Sequence, residues 1–438
     1  MGLPAMAAAQ SPVTFREAMS MVAQRNERWR AADLSVTRAQ ETRAEQRGLY
    51  WPTIGAVGRY VHLNDELFVD LSPLRGLLSA LNPAVPIPSP LTATVLRNDP
   101  IKATVNASWT VFAGGRIRAA NRAAEAGVDA ADADRSSTHH ALTTELADRY
   151  FKRRLAADVL KVRKQALETL DRHVEDAQRL QQAGQIARTE ALRAQVARAE
   201  ADRDYKVAQR DVALASAALR ATLGSDQDVD PVTPLPAAPK LEPRERFAAT
   251  ADSGNPDLRK LTALKEQSRQ GTSAAKAEYL PALRLFGQAE LFQSRLNSTT
   301  DPKWLVGAEL QWKLFDGFGR EHRVSAARLA EQEVGTRHEG ARRDVATLVQ
   351  SRYDEYVSAV DQYTSLQSSV DLAEESLRSE QRAFAEGVGT SLEVVDAELA
   401  RSRIQVERLN AQYEAVVALA RLLEASGESD RLLEYIGQ

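Results

Sequence analysis

The chain has 438 residues, of which 27% are charged and only 6% aromatic, and its net charge is −3. That balance suits long helices meeting along narrow seams better than a thick globular core, and no basic footprint points to nucleic acid. Cysteine is absent, which excludes disulfides, thiolate metal sites, a thiol nucleophile and a lipidated N-terminal cysteine.

Residues 1–12 read as a residual N-terminal segment. Ala5-Met6-Ala7-Ala8-Ala9 has the small residues that end a secretory signal, without the basic and apolar stretches that precede them in one. A helix is expected from about Thr14 to Leu49. After Pro52, the stretches from Thr53 to Leu63 and from Ile101 to Phe112 have strand character. The Leu- and Pro-rich segment from Asp65 to Pro100 between them reads as a large loop. A very long helix then runs from about Gly115 to Ala183. The turn Gly184-Gln185-Ile186-Ala187 leads to a last helix, about Thr189 to Leu223. The Pro-rich segment 225–243 reads as a collar packed near the C-terminal tail, 428–438.

The same order then returns: a helix from Arg244 to Ala277, strands from Ala282 to Phe292 and Trp304 to Leu314, a long helix from Gly319 to Glu386, and a helix from Leu392 to Glu424. Trp109, Phe112, Gly184 and Gly224 recur 203 residues later as Trp312, Phe315, Gly387 and Gly427. Asn26, Tyr50, Pro52 and Gly58 recur 229 residues later as Asn255, Tyr279, Pro281 and Gly287. The longer offset reflects the larger loop of the first copy; its counterpart, Gln293 to Pro302, is short. A unit of roughly 200 residues is too long for a solenoid repeat, so residues 13–224 and 244–427 read as a duplicated domain.

Spacing supports the helices. Val349, Tyr356, Tyr363, Val370, Leu377 and Phe384 fall at strict seven-residue intervals, and Leu146, Leu160, Leu167 and Val174 line the matching seam. Leu392, Val395, Leu399, Val406, Leu409, Tyr413, Val416, Ala420 and Leu423 alternate at three and four, as in a coiled coil. A helix of roughly 70 residues spans about 105 Å, and two of roughly 35 match it end to end. The expected helical part is therefore a long rod or wall.

The strands alternate instead. Ile101, Ala103, Val105, Ala107, Trp109 and Val111 are apolar, against Lys102, Thr104, Asn106, Ser108, Thr110 and Phe112. Trp304, Val306, Ala308, Leu310, Trp312 and Leu314 repeat the pattern, against Lys303, Glu309, Gln311 and Lys313. Such alternation over about 11 residues, with Trp near the ends, is that of a strand crossing a bilayer. A half-buried hairpin in a soluble sheet would look similar; the long helical coils beneath both hairpins favour the membrane. Four strands leave open edges, which lipid does not tolerate, so copies must combine. Two would supply 8 strands and three 12, and only a barrel larger than about 8 strands leaves a passage.

These features together resemble the TolC family of outer-membrane efflux proteins. The resemblance rests on the duplicated element order and on the corners Trp109 to Phe112-Ala113-Gly114-Gly115-Arg116 and Trp312 to Phe315-Asp316-Gly317-Phe318-Gly319-Arg320. It rests also on Gly387-Val388-Gly389-Thr390-Ser391-Leu392-Glu393-Val394-Val395-Asp396-Ala397, and it extends from about Val13 to Gly427. It implies a mainly α fold with membrane β, internally duplicated: a homotrimer contributing four strands per chain to a 12-stranded transmembrane barrel above an α-helical coiled-coil barrel. It further implies a passive exit duct in the Gram-negative outer membrane, reaching into the periplasm. A periplasmic adaptor and an inner-membrane pump would be its partners, in multidrug efflux or type I secretion. The alternative is a soluble periplasmic coiled-coil scaffold.

The resemblance also nominates residues. Glu393 and Asp396 lie three apart on one helix face; Glu190 is the counterpart of Glu393, while Arg193 replaces Asp396. In the family, acidic residues here ring the periplasmic entrance and set its cation preference, and gathered carboxylates create such a field. Acidic residues also suit a helix start as such, through the helix dipole. The tips, Gly184 and Gln185 in one copy and Gly387, Val388, Gly389 and Thr390 in the other, are expected adaptor contacts. The Tyr and Arg that lock the inner helices of the best-known members have no match; Glu386 and Ser391 stand near those places. His139-His140 point to different helix faces, and no phosphate-loop motif or nucleophile–base constellation is present. No enzyme activity, cofactor or metal is expected.

Overall fold

The computed structural model describes residues 11–437 apart from 85, 97, 100, 237–238 and 294–302. The N-terminal alanine run and most of the short second loop lie outside the described residues. The chain forms two compact units, each drawing on both sequence copies.

The first unit comprises Met1–Ala39, Val128–Leu264 and Val334–Gln438. A short strand β1 (Ser11–Val13) leads into helix α1 (Phe15–Arg25), and α2 (Glu27–Arg47) follows at once. The expected single helix is thus broken, at Asn26, and the second copy breaks in the same way at Asn255. The reason is the same side-chain chemistry twice. Asn26 Oδ1 accepts from the backbone N–H groups of Arg28 and Trp29, while its Nδ2 donates to the carbonyl of Thr222 at 2.9 Å. An asparagine that caps a new helix competes with continuing the old one.

The remaining elements follow the expected order closely. They are β2 (Thr53–Tyr60), β3 (Leu67–Asp70), α3 (Arg75–Leu81), β4 (Thr92–Leu96), β5 (Ile101–Ala113), α4 (Arg116–Gln182), α5 (Arg188–Leu223) and β6 (Val229–Pro231). The second copy gives α6 (Arg244–Gly254), α7 (Pro256–Lys276), β7 (Ala282–Gln293), β8 (Trp304–Gln311), α8 (Gly319–Ala385) and α9 (Ser391–Ser426), before a short α10 (Leu432–Tyr435). The two long helices have 67 residues each, and α5 and α9 have 36 each.

In the first unit, the core gathers Phe15, Tyr150, Phe151, Phe247, Leu419 and Leu422 with many smaller residues. Phe15 stands edge-on to Tyr150, with 5.3 Å between ring centroids. The Tyr150 hydroxyl donates to the Val13 carbonyl at 2.7 Å and accepts from Thr233 N, tying β1 to the segment that carries β6. Strands β1 and β6 pair in parallel. Glu242 of the Pro-rich segment accepts from Arg431 and Tyr435 of the tail, and Arg246 of α6 grips Glu428 through both terminal guanidinium nitrogens at 2.7 and 2.9 Å.

The ends of α5 and α9 show why two glycine markers recur. Gly224 and Gly427 both take left-handed backbone, and a Cβ on Gly427 would lie 2.5 Å from the Gly254 carbonyl oxygen. Only glycine permits both the turn and the approach. The seven-residue seam of α8 is buried at Val349, Tyr356, Val370, Leu377 and Phe384. That of α9 differs from expectation near its start. Leu392 and Leu399 are exposed, while Val394, Val395, Glu398, Arg401 and Ser402 are buried, because α9 turns those residues toward α4 and α5.

The second unit comprises Gln40–Gly127 and Lys265–Glu333. Its sheet has the order β2-β5-β7-β8, antiparallel throughout. Register places Ile54, Ala107, Gly287 and Val306 side by side across all four strands, and likewise Ala56, Val105, Ala289 and Trp304. One face is therefore apolar from edge to edge. The other carries Lys102, Thr104, Asn106, Arg284, Gln288 and Glu309, broken by Val57, Phe286 and Leu305. Among the described residues neither β2 nor β8 has a second neighbour in this sheet.

Two expectations change here. Strand β8 stops at Gln311 rather than Leu314, because Arg320 takes the carbonyls of Lys313 and Leu314. The first-copy loop is also more ordered than expected: β3 and β4 pair as an antiparallel ladder and α3 lies between them in sequence. Among the described residues no helix is long and apolar enough to cross a membrane.

Candidate functional site

The expected site residues lie where each long helix turns back, all within the first unit. Gly184 takes left-handed backbone after α4, and Gln185 N donates to Leu180 O at 2.9 Å. After α8, Gly387 is left-handed too, and Val388 N and Gly389 N both donate to Ala383 O at 3.0 Å. Val388 is 80% exposed at this tip.

The helix starts that follow are chemically unequal. Thr390 and Glu393 form a reciprocal capping box: Glu393 Oε2 accepts from Thr390 N at 2.7 Å and from its hydroxyl at 2.9 Å, while Glu393 N donates back. The backbone N–H of Thr390, then its hydroxyl, hold the Glu393 carboxyl below its ordinary range. The first copy has Ala187 where the second has Thr390, so no hydroxyl is available to close the same box. Glu190 reaches across instead. Its Oε2 accepts from Ser391 N at 3.2 Å, and its Oε1 accepts from Arg193 at 3.0 Å.

Of the three nominated carboxylates, Glu393 is thus committed to its own helix start and Glu190 to the neighbouring hairpin. Asp396 is exposed, with no hydrogen bond or ion pair to the described residues. It is the carboxylate free to face solvent or an ion.

Sequence reasoning missed what lies beneath. His173 on α4 is buried, 6% exposed, and its Nε2 lies 2.8 Å from Ser391 Oγ. Its ring tilts against Phe384 of α8 at 4.7 Å. Burial pushes the imidazole pKa down, opposed by Asp176. A cavity of about 440 Å³ adjoins it, lined by Thr169, Arg172, Asp176, Gln381 and Phe384 among others. Further along α9, Glu398 is fully buried and takes both Nε and Nη2 of Arg401 at 3.2 and 2.7 Å. Burial raises the Glu398 carboxyl pKa, and Arg401 counteracts it. Arg163 donates to Ser402 at 3.1 Å. The one available signal was the substitution of Ala187 for Thr390, since His173 stands alone in its sequence neighbourhood. Among the described residues no group of three or more His, Cys, Asp or Glu is placed to hold a metal ion.

The model of the outer membrane efflux protein family matches residues 18–225 and 249–428, both copies and nearly the whole chain. This chain belongs to that family. Its place is accordingly the Gram-negative outer membrane. Protein CyaE of Bordetella pertussis is 27% identical over 294 residues, covering 65% of this chain and 59% of CyaE. The alkaline protease secretion protein AprF of Pseudomonas aeruginosa is 24% identical over 225 residues, 48% of this chain and 46% of AprF. The chain thus spans less than two thirds of either relative's length. The open state of the MtrE outer membrane channel of Neisseria gonorrhoeae shares the fold, with a TM-score of 0.76 at 20% identity over 95% of this chain and 89% of that one. The family and the structural neighbours are channels rather than enzymes.

Proposed function

We propose that this chain is one subunit of a homotrimeric exit duct, which carries cargo passively across the outer membrane. A periplasmic adaptor and an inner-membrane transporter supply that cargo and the energy. The observation that supports this best is the four-stranded sheet, apolar over one whole face and open at both edges. Lipid covers the apolar face, and two further copies satisfy the edges to give 12 strands. A soluble scaffold would leave the same face in water. No residue is assigned a catalytic role. The name of AprF ties that relative to the secretion of a protease, which favours a protein as the first cargo to test.

At the tips, Asp396 is the residue proposed to form the cation-attracting ring, one carboxylate from each copy. Glu393 and Glu190 support the helix starts around it. The exposed turns at Gly184, Gln185, Gly387, Val388, Gly389 and Thr390 are proposed to meet the adaptor. Single-channel recording tests the scheme. Wild-type protein in a planar bilayer passes ions and is blocked by divalent or trivalent cations, and Asp396→Ala weakens the block. Unchanged block would remove Asp396 from the ring, and absence of any current would remove the duct.

A further inference from the structure

One buried residue of the second copy gathers polar contacts from two helices of the first. Ser391, at the first turn of α9, is fully buried. It is held twice by the first copy: its N–H donates to Glu190 of α5, and its hydroxyl meets His173 of α4. The arrangement has no mirror in the other copy. The counterpart of Ser391 is Arg188, and that of His173 is Ser376, each 203 residues away. A duplicated domain that keeps its joints but differs here has a one-sided fastening between its two hairpins.

We infer that His173 and Ser391 form an acid-sensitive clasp, which holds the second hairpin closed against the first near neutral pH and releases it on acidification. The inference rests on the exit-duct reading for its consequence, a change in ion flow, but not for the clasp itself.

The chemistry follows from what surrounds the imidazole. On its own helix, Arg172, Asp176 and Arg179 stand near it, with Asp176 paired to Arg179. From α8 come the neutral Gln381 and the phenyl ring of Phe384. From α9 comes the Ser391 hydroxyl, and α5 sends Glu190 to the Ser391 N–H rather than to the ring. Within 2.8 Å the imidazole therefore meets a hydroxyl, not a carboxylate. A neutral imidazole fits this wall and can accept the hydroxyl proton. A protonated one can only donate, and burial at 6% exposure penalises its charge more than nearby Asp176 favours it.

The direction of the pH effect is fixed by this. A histidine whose folded pKa lies below its unfolded value strengthens the closed state fully above about 6.5, and that contribution is lost as pH falls toward the folded value. Acidification thus opens the clasp; alkalinisation leaves it unchanged.

Two experiments test it. In planar bilayers, open time of the wild-type channel rises severalfold from about pH 7.5 to about pH 5.5. His173→Gln, which keeps a hydrogen-bonding group but takes up no proton in this range, responds little. Asp396→Asn retains the response, separating the clasp from the carboxylate ring. The second experiment needs no current. The chain has no cysteine, so nitroxide labels at Gln185→Cys and Val388→Cys report the separation of the two exposed tips. That separation widens on acidification in the otherwise wild-type protein and stays fixed when His173→Gln is added. A tip separation independent of pH, or a full response surviving in His173→Gln, would overturn the clasp. Loss of current with the tip response intact would instead count against the duct.

Discussion

Replacing Asn255 with alanine removes three hydrogen bonds from one joint: Nδ2 to the Ala425 carbonyl at 2.9 Å, and Oδ1 from Asp257 N at 3.0 Å and Leu258 N at 3.2 Å. Loss of the helix cap costs about 1 kcal/mol. The Ala425 carbonyl, left without its donor beside a residue only 5% exposed, costs about 1–3 kcal/mol more. The sum, about 2–4 kcal/mol, should appear as local opening of the first turn of α7. At about 1.4 kcal/mol per factor of ten, hydrogen exchange of the Asp257 and Leu258 amides should speed up by about 30- to 700-fold. Asn255→Ser keeps a cap acceptor without the donor and should fall between wild type and alanine. Exchange changed by no more than an ordinary surface substitution, about 0.5 kcal/mol, would refute the joint.

Phe318 holds left-handed backbone at φ 65° while 64% exposed, and Gly115 occupies the equivalent place at φ 92°. Phe318→Gly relieves that strain but gives up the edge contact with Phe315 at 5.5 Å and adds freedom to the unfolded chain, so it should stabilise the protein by at most about 1 kcal/mol, read as a slightly higher thermal midpoint; a lower one would mean the ring contact outweighs the strain. Arg401→Met should cost about 3–5 kcal/mol by leaving Glu398 buried without its partner, and adding Glu398→Gln should restore most of it. If the double variant is no better than the single one, the pair is not the unit described. Glu393 stabilises its helix start above the ordinary value of 4.5, and this fades as pH falls through the depressed folded value. Thr390 amide exchange should follow that change in wild type and lose it in Glu393→Gln; an identical profile in both would contradict the cap.

The recurring residues of the sequence turn out to mark joints. Asn26 bonds the end of α5 near Gly224, and Asn255 bonds the end of α9 near Gly427. The ring nitrogen of Trp109 donates to Tyr50 O, and that of Trp312 to Tyr279 O. Each such pair was visible as a repeat, but not as a contact, because repetition shows that a residue matters without showing what it touches. Periodicity gave the long helices and the apolar sheet face, since both depend on a regular spacing of side chains. It did not give the breaks at Asn26 and Asn255, where one side chain overrides propensity. Nor could it find His173 with Ser391, 218 residues apart and matched in no second copy. The roles of Glu190 and Glu393 diverge through a neighbour, Ala187 against Thr390, and only coordinates show which way each carboxylate turns.

The central claim is that one chain cannot close its own sheet. The mass of the detergent-solubilised particle tests it most directly, by light scattering corrected for bound detergent. Three times the 48.1 kDa of the single chain is the predicted protein mass. A folded particle of one chain, stable in water without detergent, would contradict it.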